Sequence, residues 1–172
     1  KKFHPSNYYS KKFVSTFKNK IYNNIYEIDL VNFYAPLINM NKKKLLRTLD
    51  TNLFMYYEDW DLCKRIRDSG GKIYLVLNSL AQHKSGKSSK SKGYNSKRYF
   101  HWGWSFVYYH KKHFNIFLAY FHILMLKFKL YLKIIIFKFA QKKLSDITNI
   151  KCILNGINRG LNEKKDFSRE KY

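Results

Sequence analysis

Phe54-Met55-Tyr56-Tyr57-Glu58-Asp59-Trp60-Asp61-Leu62-Cys63-Lys64-Arg65 decides how this chain is read. It sets three carboxylates within four positions of a protein that has 11 acidic residues against 34 basic ones. Like charges at that spacing repel, and half-burying each unpaired ion is expensive. Placed beside aromatics where a helix starts, they have the character of a site that holds a metal or a base of tuned pKa. Asp is equally favoured at helix caps and in the first turn, so Asp59 or Asp61 also reads as a helix-starting residue with no chemical duty.

Around this block, 172 residues suffice for one ordinary domain, or one compact part with an appendage. A hydrophobic content of 45% with 19% aromatics supplies a core and argues against general disorder. Cys63 and Cys152 have no metal-binding, redox or disulfide-framework spacing, which suits a reducing compartment. The start has no signal-peptide pattern, and Lys1 opening onto polar, aromatic sequence is expected to mark a chain whose N-terminal part lies upstream. The net charge of +23 would attract nucleic acid or anionic lipid. Its lysines are interleaved with Asn, Ile, Tyr and Phe, residues that share A/T-rich codons, so genome bias accounts for the same composition. No zinc-finger spacing, RRM-type strand motif or heptad zipper is present, and nucleic acid is not the expected partner.

Working outward, residues 1 to about 27 read as loop with short helical turns. Ile28 to Met40 reads as one or two strands interrupted by Pro36, which cannot sit in a central ladder. Lys42 to Leu49 is expected to form a short helix. Asp61 to Ser69 is expected to form another, with Leu62 and Ile66 on one face, ended by Gly70-Gly71. Lys72 to Leu77 follows as a strand, and the helix–Gly–strand order has an α/β character. Lys84 to Gly93 is small, polar and basic, a loop by composition. Its Gly86-Lys87-Ser88 lacks the earlier glycine of a phosphate-binding loop, because position 81 is alanine, and an NTPase is rejected.

These residues resemble the C-terminal half of the family 2 glycosyltransferases, above all their rhamnosyltransferase-like members. The matching features are the strand region at 28–40, Leu49-Asp50, the block Phe54 to Arg65, the Gly70-Gly71 turn, the strand at 72–77, and His83 before a Gly/Ser segment. Together they cover roughly positions 28–92, about a third of the chain. The resemblance implies an α/β fold: an incomplete GT-A domain, a Rossmann-like mixed sheet, whose acceptor-side half occupies residues 1–98. A helical, aromatic and basic C-terminal region then spans 99–172.

The resemblance further implies inverting sugar transfer from a nucleotide-sugar donor to a glycan or lipid-linked acceptor. Asp59 maps onto the catalytic base, which takes a proton from an acceptor hydroxyl as it attacks the anomeric carbon. Glu58 would shape the pocket or bind the acceptor, Asp61 would cap the helix and hold Asp59 with Trp60 as a further support, and Tyr57 would bind the acceptor. His83 would help to ligate a divalent metal, Mg or Mn, that neutralises the diphosphate leaving group; a histidine at a strand end also serves as an ordinary hydrogen-bonded residue. Asp59-Trp60-Asp61 imitates the Asp-x-Asp metal motif, but it opens a helix instead of ending a strand in a nucleotide-binding half. No such half is visible in this chain, which departs from the family and implies that the chain alone is inactive. Phe33-Tyr34-Ala35 also lacks the small glycine-containing turn of relatives, leaving the acceptor open.

From Tyr99 the chain is dense in aromatics. Trp102 and Trp104 are candidates to stack on acceptor sugar rings, or are packing residues. Four of the six histidines lie between 101 and 122 without zinc geometry and read as surface residues. Phe117 to Ala140 is apolar but carries Lys127, Lys129, Lys133 and Lys138, which argues against a membrane span. Lys111, Asn115, His122, Lys129 and Lys133 share one stripe, with Lys127 and Lys138 opposite. The segment is expected to be a basic amphipathic helix, lying in the plane of an anionic inner leaflet or packed on its own domain. The protein is thus expected to be cytoplasmic and peripheral on the inner membrane. The competing function is a non-catalytic basic module for membrane or nucleic acid, with the acidic block only starting a helix.

Overall fold

The computed structural model describes residues 19–22, 24–33, 35–39, 41, 48–79, 94–141 and 144–163. Among them are three strands, β1 (Asn19–Tyr22), β2 (Ile25–Ile28) and β3 (Ile73–Val76). Four helices accompany them: α1 (Glu58–Asp68), α2 (Tyr94–His113), α3 (Ile116–Phe139) and α4 (Leu144–Asn162). The chain forms two compact units, one of Lys1–Leu49 with Asp59–Ser85, the other of Asp50–Glu58 with Gly86–Tyr172.

In the first unit the strands run in the order β1-β2-β3, antiparallel throughout. β1 and β2 form a hairpin where loop and helical turns were expected. Its turn carries Asn24 at φ 64°, a left-handed conformation that Asn tolerates well. β2 pairs with β3 from Ile25↔Val76 to Ile28↔Ile73. α1 buries Leu62 and Cys63 and stops in a Schellman arrangement. The Gly71 N–H donates to the Ile66 carbonyl at 2.8 Å and the Gly70 N–H to the Arg67 carbonyl at 2.9 Å. Gly70 takes φ 77°, where any Cβ is disfavoured, which is why the helix ends there.

The expected α/β, GT-A-like half is not what forms. Four helices of 11, 20, 24 and 19 residues dominate, against three strands of four residues each. A helix–Gly–strand order implies a parallel crossover only if the strand after the helix runs with the one before it. Here β3 runs against β2, so α1 joins antiparallel neighbours and no βαβ unit exists among the described residues. Among the described residues of the expected 28–40 strand region, only Ile28 lies in a strand. Positions 42–47 of the expected short helix, and the whole loop at 84–93, lie outside the described residues.

In the second unit α2 crosses α4 with backbones nearly touching. A Cβ on Gly156 would collide with the Phe100 carbonyl, and one on Gly103 with the Ile153 carbonyl. Gly156 and Gly160 have the small-x-x-x-small spacing that permits such an approach. Val107, Ile123, Leu130, Ile150, Leu154 and Ile157 close the core between α2, α3 and α4. Asn115 separates α2 from α3; its side chain accepts from the Leu118 N–H at 2.9 Å as an N-cap. The segment 50–58 is tied to α2 by polar contacts. Tyr108 donates to Asp50 at 3.0 Å, Lys112 pairs with Asp50 at 2.5 Å, and Ser105 donates to the Met55 carbonyl at 2.8 Å.

Candidate functional site

The acidic block lies at the start of α1, which begins at Glu58 and not at the expected Asp61. Asp61 therefore does not cap the helix. Its side chain is fully buried and accepts from Arg65 Nε at 2.8 Å, one turn on. Arg65 continues through Nη2 to the Thr48 carbonyl at 2.8 Å. Both partners are withdrawn from water, so the pair is structural, and removing either end would strand a buried charge.

Asp59 differs in every respect. It is only half-buried, sits in the first turn, and no ion pair engages it among the described residues. Its Oδ1 accepts from the neighbouring Trp60 N–H at 2.9 Å. Burial pushes the Asp59 carboxyl above its ordinary value, and backbone hydrogen bonds from Trp60 and from its own N–H only partly offset this. A carboxylate so placed binds a proton more readily than a free aspartate, as a general base should. Trp60 is exposed, while Cys63 is buried with its thiol pushed up by desolvation and directed at the Val31 carbonyl, 3.9 Å away.

Glu58 is half-buried and belongs to the second unit, as do Tyr56 and Tyr57. These tyrosines adopt φ 67° and 66°, left-handed conformations that cost about 1 kcal/mol or more apiece for bulky side chains. Packing holds them there: Tyr56 Oη accepts from Arg98 Nε at 2.7 Å, and the Tyr57 ring lies 5.3 Å from Tyr109 and 6.0 Å from Phe106.

The two acceptor-stacking candidates part company. Trp104 is 4% exposed, stacks on Tyr108 at 5.3 Å and donates its indole N–H to Glu163 at 3.1 Å. It is a packing residue. Trp102 is half-buried, stacked on Phe106 at 5.8 Å with Tyr57 at 6.2 Å. The histidines are not simply surface residues: His101 is buried against Phe54, and His110 donates from Nδ1 to the Phe106 carbonyl at 2.7 Å. Burial lowers the pKa of both.

His83 lies outside the described residues. Among those described, no group of three or more His, Cys, Asp or Glu side chains could hold a metal ion. The expected Mg or Mn ligand is His83 and not Asp61, and the mechanism proposed below contains no metal-dependent step.

Two features escaped the reading of the sequence. The i,i+4 spacing of Asp61 and Arg65 announces their ion pair. The Gly156-Ile157-Asn158-Arg159-Gly160 run announces the close helix crossing. No family model, curated protein or solved structure matches this chain. Among the described residues, no helix is long and apolar enough to cross a membrane.

Proposed function

We propose that this chain provides the acceptor-activating base of a glycosyl transfer, with Asp59 as that base. One observation carries the assignment: of the two aspartates in Asp59-Trp60-Asp61, one is neutralised in a buried pair with Arg65, while the other is left half-exposed on the first turn with a raised pKa. The likeness of the Phe54–Arg65 block to family 2 glycosyltransferases supplies the reaction class, and it stands apart from the GT-A sheet that does not form. In the step envisaged, an Asp59 oxygen takes the proton of an acceptor hydroxyl. The hydroxyl oxygen attacks the anomeric carbon of a nucleotide-sugar as the bond to the diphosphate breaks on the opposite face, with inversion. Glycans and lipid-linked glycans are the proposed acceptors.

The test is transfer by the protein that carries this chain, measured as nucleoside-diphosphate release over a panel of nucleotide-sugars. Asp59→Asn should lower the rate about 10²- to 10⁴-fold, the usual worth of a general base, with its melting temperature unchanged. Wild-type turnover by the Asn variant would remove Asp59 from the chemistry.

A further inference from the structure

Outside the acidic block, the feature of α3 that its own unit leaves unexplained is a second apolar face. Its inner face, with Ala119, Ile123 and Leu130 buried, meets the core. Roughly opposite, Phe117, Phe121, Leu124, Phe128, Ile135 and Phe139 fall within about 60° of arc at 100° per residue. All are at least half exposed, and Phe117 and Phe139, at the two ends, are each 84% exposed. A strip of large apolar side chains this long is not an ordinary solvent face.

Charge defines what covers it. On one side the exposed Leu132 and Ile136 widen the apolar surface as far as Lys129, with Lys133 beyond it; Lys127 and Lys138 lie on the other side, and α3 contains no Asp or Glu. Within α3, His122, Lys129 and Lys133 share one side and Lys127 and Lys138 lie on the other, as expected, while Lys111 and Asn115 drop out of the expected stripe. Asn115 restarts the helix, so Lys111 belongs to α2, where it donates to the Gly160 and Leu161 carbonyls at 2.9 and 3.2 Å. Lys127 reaches Asn158 at 3.0 Å, and Lys133 lies over the Phe137 ring at 5.2 Å. None of the four needs to cross the apolar strip to reach water.

We infer that the outer face of α3 lies in the interface of an anionic lipid bilayer, its phenylalanines and aliphatic residues below the headgroups and its lysines at headgroup level on both flanks. A helix of 24 residues extends about 36 Å, along the surface and not through it. A second copy is a poor occupant, because two such faces would bring lysine edges together without a carboxylate to offset them. A nucleic-acid backbone is a poor occupant of an apolar strip. The inference is independent of the role of Asp59.

Flotation of the full chain with phosphatidylcholine vesicles, with or without phosphatidylglycerol, tests it. The wild type should float with the mixed vesicles, and Phe121→Asp/Phe128→Asp should weaken that binding about tenfold or more. Both positions are exposed, so far-UV circular dichroism should not change. Lys129→Glu/Lys133→Glu, which leaves the strip intact, should erase most of the preference for phosphatidylglycerol over phosphatidylcholine. Failure of the folded wild type to float, or equal flotation of the strip variant, overturns the inference. So does a concentration-dependent dimer that forms without vesicles and is lost in the strip variant.

Discussion

α1 and α3 differ in what remains on their surfaces once their own units are folded. α1 buries Leu62 and Cys63, closes Asp61 onto Arg65, and leaves a carboxylate in its first turn. α3 buries Ala119, Ile123 and Leu130 and leaves a strip of phenylalanines between lysines. A residual acid with a raised proton affinity suggests chemistry on a small molecule, whereas a residual apolar face edged by one sign of charge suggests a surface. The contrast separates two roles that net charge and composition alone would merge.

Stability measurements can break that contrast. The largest effect should come from Asp61→Asn, which leaves Arg65 buried without its anion and should cost about 3–5 kcal/mol in denaturant unfolding. A cost near zero would mean that Asp61 is as free as Asp59. Next comes Gly156→Ala, whose Cβ must displace the Phe100 carbonyl; forcing α2 and α4 apart should cost about 3 kcal/mol. A silent Gly156→Ala would show that the core under α3 does not depend on that crossing. Gly70→Ala places a Cβ at φ 77° and should cost about 1 kcal/mol through α1 alone.

The smallest effect belongs to Asp59→Asn. The folded pKa of Asp59 is raised, so ionising it costs stability as pH climbs from the unfolded value past the folded one. Removing the charge should therefore leave the neutral-pH melting temperature unchanged or slightly higher. Asp50 has the opposite sign. Burial raises its pKa, but bonds from Lys112, the Asn52 N–H and Tyr108 outweigh that and hold it below the ordinary 3.8. Its contribution is present above pH 3.8 and is lost as the pH falls through the lower folded value.

Local signals in the sequence proved readable. Gly70-Gly71 marks the end of α1 through backbone conformation, and Lys72 to Leu77 contains β3. Antiparallel pairing was not readable, because strand direction is set by partners distant in sequence, Ile25 with Val76 and Ile28 with Ile73. The β1–β2 hairpin had a usable signal in Asn23-Asn24 between two apolar–aromatic runs. In the candidate site, the block itself was legible, but the division of labour within it was not. Spacing brings Arg65 under Asp61, while only tertiary burial shows that this pair is dry and that Asp59 keeps an open side. The phase within α3 was legible, but the break at Asn115, which puts Lys111 on α2 and leaves Asn115 as a cap, was not.

The central claim is that Asp59 is the base of a transfer reaction and that its environment raises its pKa. The pH profile of nucleoside-diphosphate release, compared between wild type and Asp59→Asn, addresses it most directly. The wild type should lose activity as pH falls, along an acid limb set above the ordinary aspartate value of 3.8. In the variant that limb should vanish along with most of the rate. An Asn variant that keeps both the wild-type rate and the same acid limb would contradict the assignment.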